Sequence, residues 1–182
     1  MKTILYAALC VALLACDKGS VTVETVEHTI FTNSFDGSDG SPALHGWKIR
    51  NGGDSAFTQD APPGFTWSIS LREREGLEPE SLVRSYSSAG SGIYEFRVWT
   101  KFVPATIGGG APARLTIQIG TSHFSSHVCS RDTTWHEEVL RDTLKLATLE
   151  VIDLGIHGGY VVLGATDSKA RFSDISLVQL NQ

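Results

Sequence analysis

Apolar and polar residues alternate along much of this chain. Between Ile93 and Val103, Tyr94, Phe96, Val98, Thr100 and Phe102 fall on one side, and Glu95, Arg97, Trp99 and Lys101 on the other. A period of two with one apolar side marks a strand buried on one face. Trp67, Ile69 and Leu71 alternate with Ser68, Ser70 and Arg72, and Leu115, Ile117 and Ile119 alternate with Thr116 and Gln118. Further strands are predicted over 28–32, 47–50, 82–86, 123–129, 137–144, 149–156 and 171–180. No stretch carries a 3.6-residue period with caps, and Glu78 to Arg84 has room for one helical turn beside Pro79. Eight to ten short strands in one chain predict an all-β, antiparallel sandwich of two sheets.

Composition agrees with this reading. Eighteen glycines and six prolines punctuate the chain at short intervals, between runs rich in Val, Ile, Thr, Phe and Trp. The net charge is −5 and no basic stripe appears, so nucleic acid is not an expected partner.

The N-terminus breaks the alternation. Lys2 is followed by an uncharged, mostly apolar run from Ile4 to Ala15. Such a run makes a helix of about 18 Å, too short for a hydrocarbon core of about 30 Å. It suits a secretory signal peptide over residues 1–15. The run ends Leu13-Leu14-Ala15-Cys16, with charge returning at Asp17 and Lys18. This resembles the lipobox of bacterial lipoproteins, although Leu14 departs from the small residue more usual there. The resemblance implies cleavage before Cys16, diacylglycerol on its sulfur and an acyl chain such as palmitate on the new amino terminus. Several chains hold firmly, since each buried methylene contributes about 0.8 kcal/mol. Residues 16–27 are then a lipidated tether, and 28–182 the folded domain, held to a membrane of the cell envelope. With Cys10 removed and Cys16 lipidated, Cys129 is the one thiol left, so the core must suffice without a disulfide.

Three motifs carry a second resemblance. Asn33-Ser34-Phe35-Asp36 followed by Gly46-Trp47, the run Gly92-Ile93-Tyr94-Glu95-Phe96-Arg97-Val98-Trp99-Thr100-Lys101, and Phe172-Ser173-Asp174-Ile175-Ser176-Leu177 stand in order along the chain. Together they resemble the jelly-roll carbohydrate-binding modules found beside xylanases and glucanases, within the broad galactose-binding-like class. The resemblance implies a jelly-roll β-sandwich more strongly than it implies a ligand. It also implies a structural Ca2+ held by Asp36 and Asp174, with the stretch Asp36-Gly37-Ser38-Asp39-Gly40 wrapping the ion. That stretch reads equally as an Asx-rich turn.

The candidate chemistry is that of binding. Glu137 and Glu138 are adjacent, so they point to opposite faces of a strand and cannot pair for glycoside cleavage. Glu73 and Glu75 share a face but sit beside Gly76, where a solvated turn is expected. His123, His127 and Cys129 share one parity without a metal-binding spacing, which predicts a buried thiol beside exposed histidines. No catalytic group is therefore expected. Sugar binding asks for an aromatic face with hydrogen-bonding neighbours. Trp47 and Trp67 are expected in the core and Trp135 as a cap. Trp99 lies on the polar side of its strand with Arg97 and Lys101. If neighbouring strands align, Tyr86, Arg84 and Gln118 complete a platform for a polysaccharide or other glycan with Trp99 and Arg97. The alternative is an envelope lipoprotein with a structural or protein-interaction role and no sugar site.

Overall fold

A computed structural model describes residues 26–51, 56–72, 74–75, 79–88, 90–104, 110–146, 150–161 and 169–181. The signal peptide, Cys16 and most of the tether lie outside these residues, as does Glu73. The strands are β1 (Val26–Asn33), β2 (Lys48–Arg50), β3 (Ala56–Thr58), β4 (Ser68–Arg72), β5 (Arg74–Glu75), β6 (Ser81–Ser87) and β7 (Gly92–Val103). They continue as β8 (Gly110–Ala111), β9 (Arg114–Ile119), β10 (His123–Val128), β11 (His136–Leu144), β12 (Val151–His157), β13 (Tyr160–Val161) and β14 (Lys169–Asn181). The described residues contain no helix.

The all-β sandwich read from the alternation is the fold. Sheet I has six strands, ordered β11-β7-β14-β4-β3, with β1 pairing the far half of β14. Sheet II has five, ordered β10-β9-β12-β6-β2. Both are antiparallel. A short ribbon, β5-β13-β8, adds one parallel pairing, between β13 and β5. Two-residue strands such as these carry no periodicity, which is why the alternation does not reveal them.

The core lies between the sheets. Tyr94, Phe96 and Val98 of β7 are fully buried against Leu115 and Ile117 of β9, Leu82 of β6 and Ile152 and Ile156 of β12. Trp47 is buried as expected and stacks on Phe96 at 6.2 Å. Trp67 packs against the core more loosely and donates its Nε1–H to the Gly40 carbonyl at 2.9 Å. Phe35 closes one end, edge-on to Phe57. Truncating a ring such as Phe96 to alanine is expected to cost about 3–5 kcal/mol.

The edge between β10 and β11 closes differently. The inward side chains of β10, His123, Ser125 and His127, meet the inward carboxylates of β11, Asp142 and Glu138. His123 lies 2.5 Å from Asp142, and His127 and His136 lie 2.6 Å and 3.0 Å from the two oxygens of Glu138. The histidines are therefore paired and partly covered, not the exposed residues expected from the sequence. Cys129 is buried as predicted, and burial, with the Glu138 charge behind it, pushes its thiol up to about 12. Such a thiol stays protonated and unreactive.

Candidate functional site

The outward residues of sheet II form a groove with a cavity volume of about 530 Å³. Strand register arranges them in rows across the sheet. Arg50, Ser81, His157, Arg114 and Val128 make one row. Lys48, Val83, Gly155, Thr116 and Ser126 make the next. Ser85, Asp153, Gln118 and Phe124 make the third. Alternation dictates this. The odd members of β12 face out because Ile152, Leu154 and Ile156 face in, and on β9 the even members Arg114, Thr116 and Gln118 face out because Leu115, Ile117 and Ile119 face in.

Gly155 forms the floor. A Cβ there would stand 2.4 Å from Thr116 Oγ1 and 2.7 Å from His157 Nε2, so glycine is the residue that lets these two side chains meet over it. They do meet, at 3.1 Å. Burial, reinforced by the positive charge of Arg114, lowers the pKa of His157, which keeps the ring neutral at neutral pH. On one wall Ser85 donates to Asp153 at 2.5 Å. On the other, Gln118 donates to the Gly120 carbonyl at 2.9 Å, and Phe124 stands 60% exposed. At the open end Gly46, with φ of 86°, turns the chain into β2 beside the Arg84 guanidinium.

The expected platform of Trp99, Arg97, Tyr86, Arg84 and Gln118 is not one surface. Trp99 and Arg97 lie on the outer face of sheet I, where Trp99 is half-buried between Glu137 and Ser173. Arg97 is held there by Glu27 at 2.8 Å and by Glu95. Tyr86 points between the sheets, stacked on Phe31 at 4.2 Å. Arg84 lies over both rings, donates to Asn33 Oδ1 and reaches the groove's end. Gln118 stands in the groove itself. The reason is topological. β7 and β6 belong to different sheets, so matching parity on them does not make a shared face.

The residues missed are Lys48, Arg50, Arg114, Phe124, Asp153 and His157, all in the groove lining. One signal was available. On β10, Phe124, Ser126 and Val128 have the parity opposite to the two histidines, and an aromatic on the outward side of a polar strand is unusual. Trp135, expected as a cap, is half-buried and donates its Nε1–H to Asp60 at 3.2 Å. Lys101, at 2.9 Å, and Arg171 pair with that same carboxylate on the outer face of sheet I.

Glu137, Glu138, Asp36 and Asp174, the carboxylates weighed for cleavage and for calcium, all lie within the described residues. Glu137 is exposed and Glu138 is buried among histidines, on opposite faces as read. Among the groove's described lining residues Asp153 is the lone carboxylate, whereas glycoside cleavage needs two. Asp36 accepts the amides of Thr66 and Trp67 at 3.1 Å and 2.9 Å. The turn beside it closes on itself through Gly37 N–H to the Ser41 carbonyl and Ser41 N–H to Asp39 Oδ1. Asp174 sits at a bulge of β14 with φ of 38°, its pKa raised by burial and by the charge of Glu137. No group of three His, Cys, Asp or Glu side chains converges as a metal site among the described residues.

The fold has close parallels in solved structures. It is similar to the CBM22-1 xylan-binding domain from Paenibacillus barcinonensis Xyn10C, at 13% identity and a TM-score of 0.56, covering 85% of this chain and 96% of that one. It is also similar to TmCBM61 in complex with β-1,4-galactotriose, at 13% identity and a TM-score of 0.53, covering 73% and 88%. A xylan-binding domain from CBM 22 matches at 9% identity and a TM-score of 0.55, covering 83% and 94%. No protein-family model matches the sequence, and no curated protein matches it. At these identities the likeness is one of fold.

Proposed function

We propose that this protein is a non-catalytic module that binds a polysaccharide in the groove of sheet II, held at the cell envelope by lipid on Cys16. The observation that carries the binding reading is the groove itself. It is open along one whole sheet, walled by hydrogen-bonding side chains, and supplied with one exposed ring, Phe124. The jelly-roll neighbours supply a second support, since two are named for xylan binding and one holds a galactotriose. In this role Gln118 and Ser85 orient hydroxyl groups and Phe124 packs on a sugar face.

Affinity electrophoresis through gels containing soluble polysaccharides tests this reading. Retardation by a glycan that falls in Phe124→Ala and Gln118→Ala, and persists in Trp99→Ala, supports the groove. Retardation lost in Trp99→Ala and kept in Gln118→Ala moves the site to the outer face of sheet I. A protein retarded by no glycan is instead a structural or protein-interaction module.

A further inference from the structure

The cations of this protein are distributed unevenly. On the outer face of sheet I, Arg97, Lys101, Arg141 and Arg171 each pair with a carboxylate. On the outer face of sheet II, Lys48, Arg50 and Arg114 form no ion pair among the described residues, and Asp153 is the single acid among the described lining residues. In a chain whose net charge is −5, the described lining of the groove thus carries the opposite sign. Concave walls focus such a field on whatever enters.

Among the described residues no tryptophan lines the groove. Trp47 is buried, Trp67 and Trp135 spend their N–H groups on Gly40 and Asp60, and Trp99 lies on the other sheet. Phe124 is the one phenyl or indole ring among the described lining residues, which leaves a large part of the affinity to polar contacts. Guanidinium groups are built for this when the partner is a planar or tetrahedral oxyanion, which they grip through two parallel N–H donors.

Resting on the reading that the groove binds a glycan, we infer that its ligand is an acidic polysaccharide whose carboxylate or sulfate groups are held by Lys48, Arg50 and Arg114. Arg50 and Arg114 occupy one row with Ser81 and His157 between them. Three strand spacings of about 4.8 Å set their backbones about 14 Å apart. A polymer lying across the strands, with charge repeated along it, meets both arginines at once. Lys48 adds a third cation beside Arg50 on β2.

The full chain, in a neutral detergent, is run through gels containing matched polymers. Polygalacturonate is compared with its methyl ester, dextran sulfate with dextran, and xylan and β-1,4-galactan serve as further neutral glycans. The inference expects retardation by polygalacturonate or dextran sulfate and not by the neutral partner of each, the pair that responds naming carboxylate or sulfate. It expects Arg50→Gln and Arg114→Gln each to weaken binding about tenfold, and exposed Lys145→Gln to leave it unchanged. Raising salt from about 0.1 M to about 1 M, which shortens screening from about 10 Å to about 3 Å, should release the polymer. Melting of each variant checks that it is folded. Equal retardation by neutral and acidic glycans, or binding indifferent to both arginines, would overturn the inference while leaving glycan binding intact. Retardation by none overturns both.

Discussion

Gly155 and Asp36 act through what their neighbours require. At Gly155 a methyl group would crowd Thr116 Oγ1 at 2.4 Å and the His157 ring. Gly155→Ala should therefore cost about 1 kcal/mol or more in urea unfolding, despite the entropic gain alanine usually brings to a strand, and should weaken ligand retention. Asp36 holds the amides that lead into β4. Asp36→Ala should cost about 1–3 kcal/mol by leaving both amides without an acceptor. Chelation separates that role from calcium binding. A loss that is the same with and without EDTA assigns Asp36 to the turn. A wild-type melting temperature that EDTA lowers, and that Asp36→Ala makes insensitive to EDTA, assigns it to an ion.

The β10–β11 edge is a strip of pairings whose strength depends on pH. Burial raises the pKa of Glu138, but the Ser130 amide, His127 and His136 outweigh it, so the net shift is downward. Asp142 is lowered in the same way, against burial, by Ser125 and His123. Stability from these two is present above the ordinary carboxylate range and is lost as pH falls through their lowered values. Burial lowers the pKa of His136, yet the Thr134 carbonyl, Glu138 and Asp132 raise it overall. Its contribution is full below 6.5 and is lost as pH rises through its raised value. The edge is thus firmest between 4.5 and 6.5, the ordinary values of the two groups. The stability difference between wild type and Glu138→Gln, measured by urea unfolding across pH, should peak in that window. Taking the difference cancels His157 and Asp174, whose shifts both forms share. A difference that falls only on the acid side, and stays level above 6.5, would show that Glu138 acts through the Ser130 amide without the help of His136.

Most strands were legible in the alternation, because one face of each is buried in a shared core. Tyr94, Phe96 and Val98 announce β7, and Leu115, Ile117 and Ile119 announce β9. The motifs shared with carbohydrate-binding modules were legible for the same reason. Phe35, Trp47, Phe172, Ile175 and Leu177 are buried residues, so these motifs report the fold and not a ligand. The site was not legible, because parity within a strand says which residues share its face and not which sheet the strand joins. Trp99 and Gln118 both face outward, on opposite sides of the molecule. The pairing of β2 with β6 and of β12 with both β6 and β9 assembles the groove, and those long-range choices leave no local pattern.

The tether and the groove belong to different sheets. β1 begins at Val26 and pairs with β14 in sheet I, while the groove lies on the outer face of sheet II. Nine residues lie between Cys16 and Val26, and the ten steps between the two span about 35 Å when extended. A lipid on Cys16 would therefore hold the molecule without drawing the chain across the groove, and anchoring and glycan binding should be separable. Cys16→Ala should abolish incorporation of labelled palmitate and move the protein from the membrane fraction to the soluble fraction. Retention by glycan gels and the melting temperature should stay as in wild type. A Cys16→Ala protein that still sediments with membranes would place the attachment elsewhere. One that leaves the membrane but loses glycan retention would show that the tether helps to form the site.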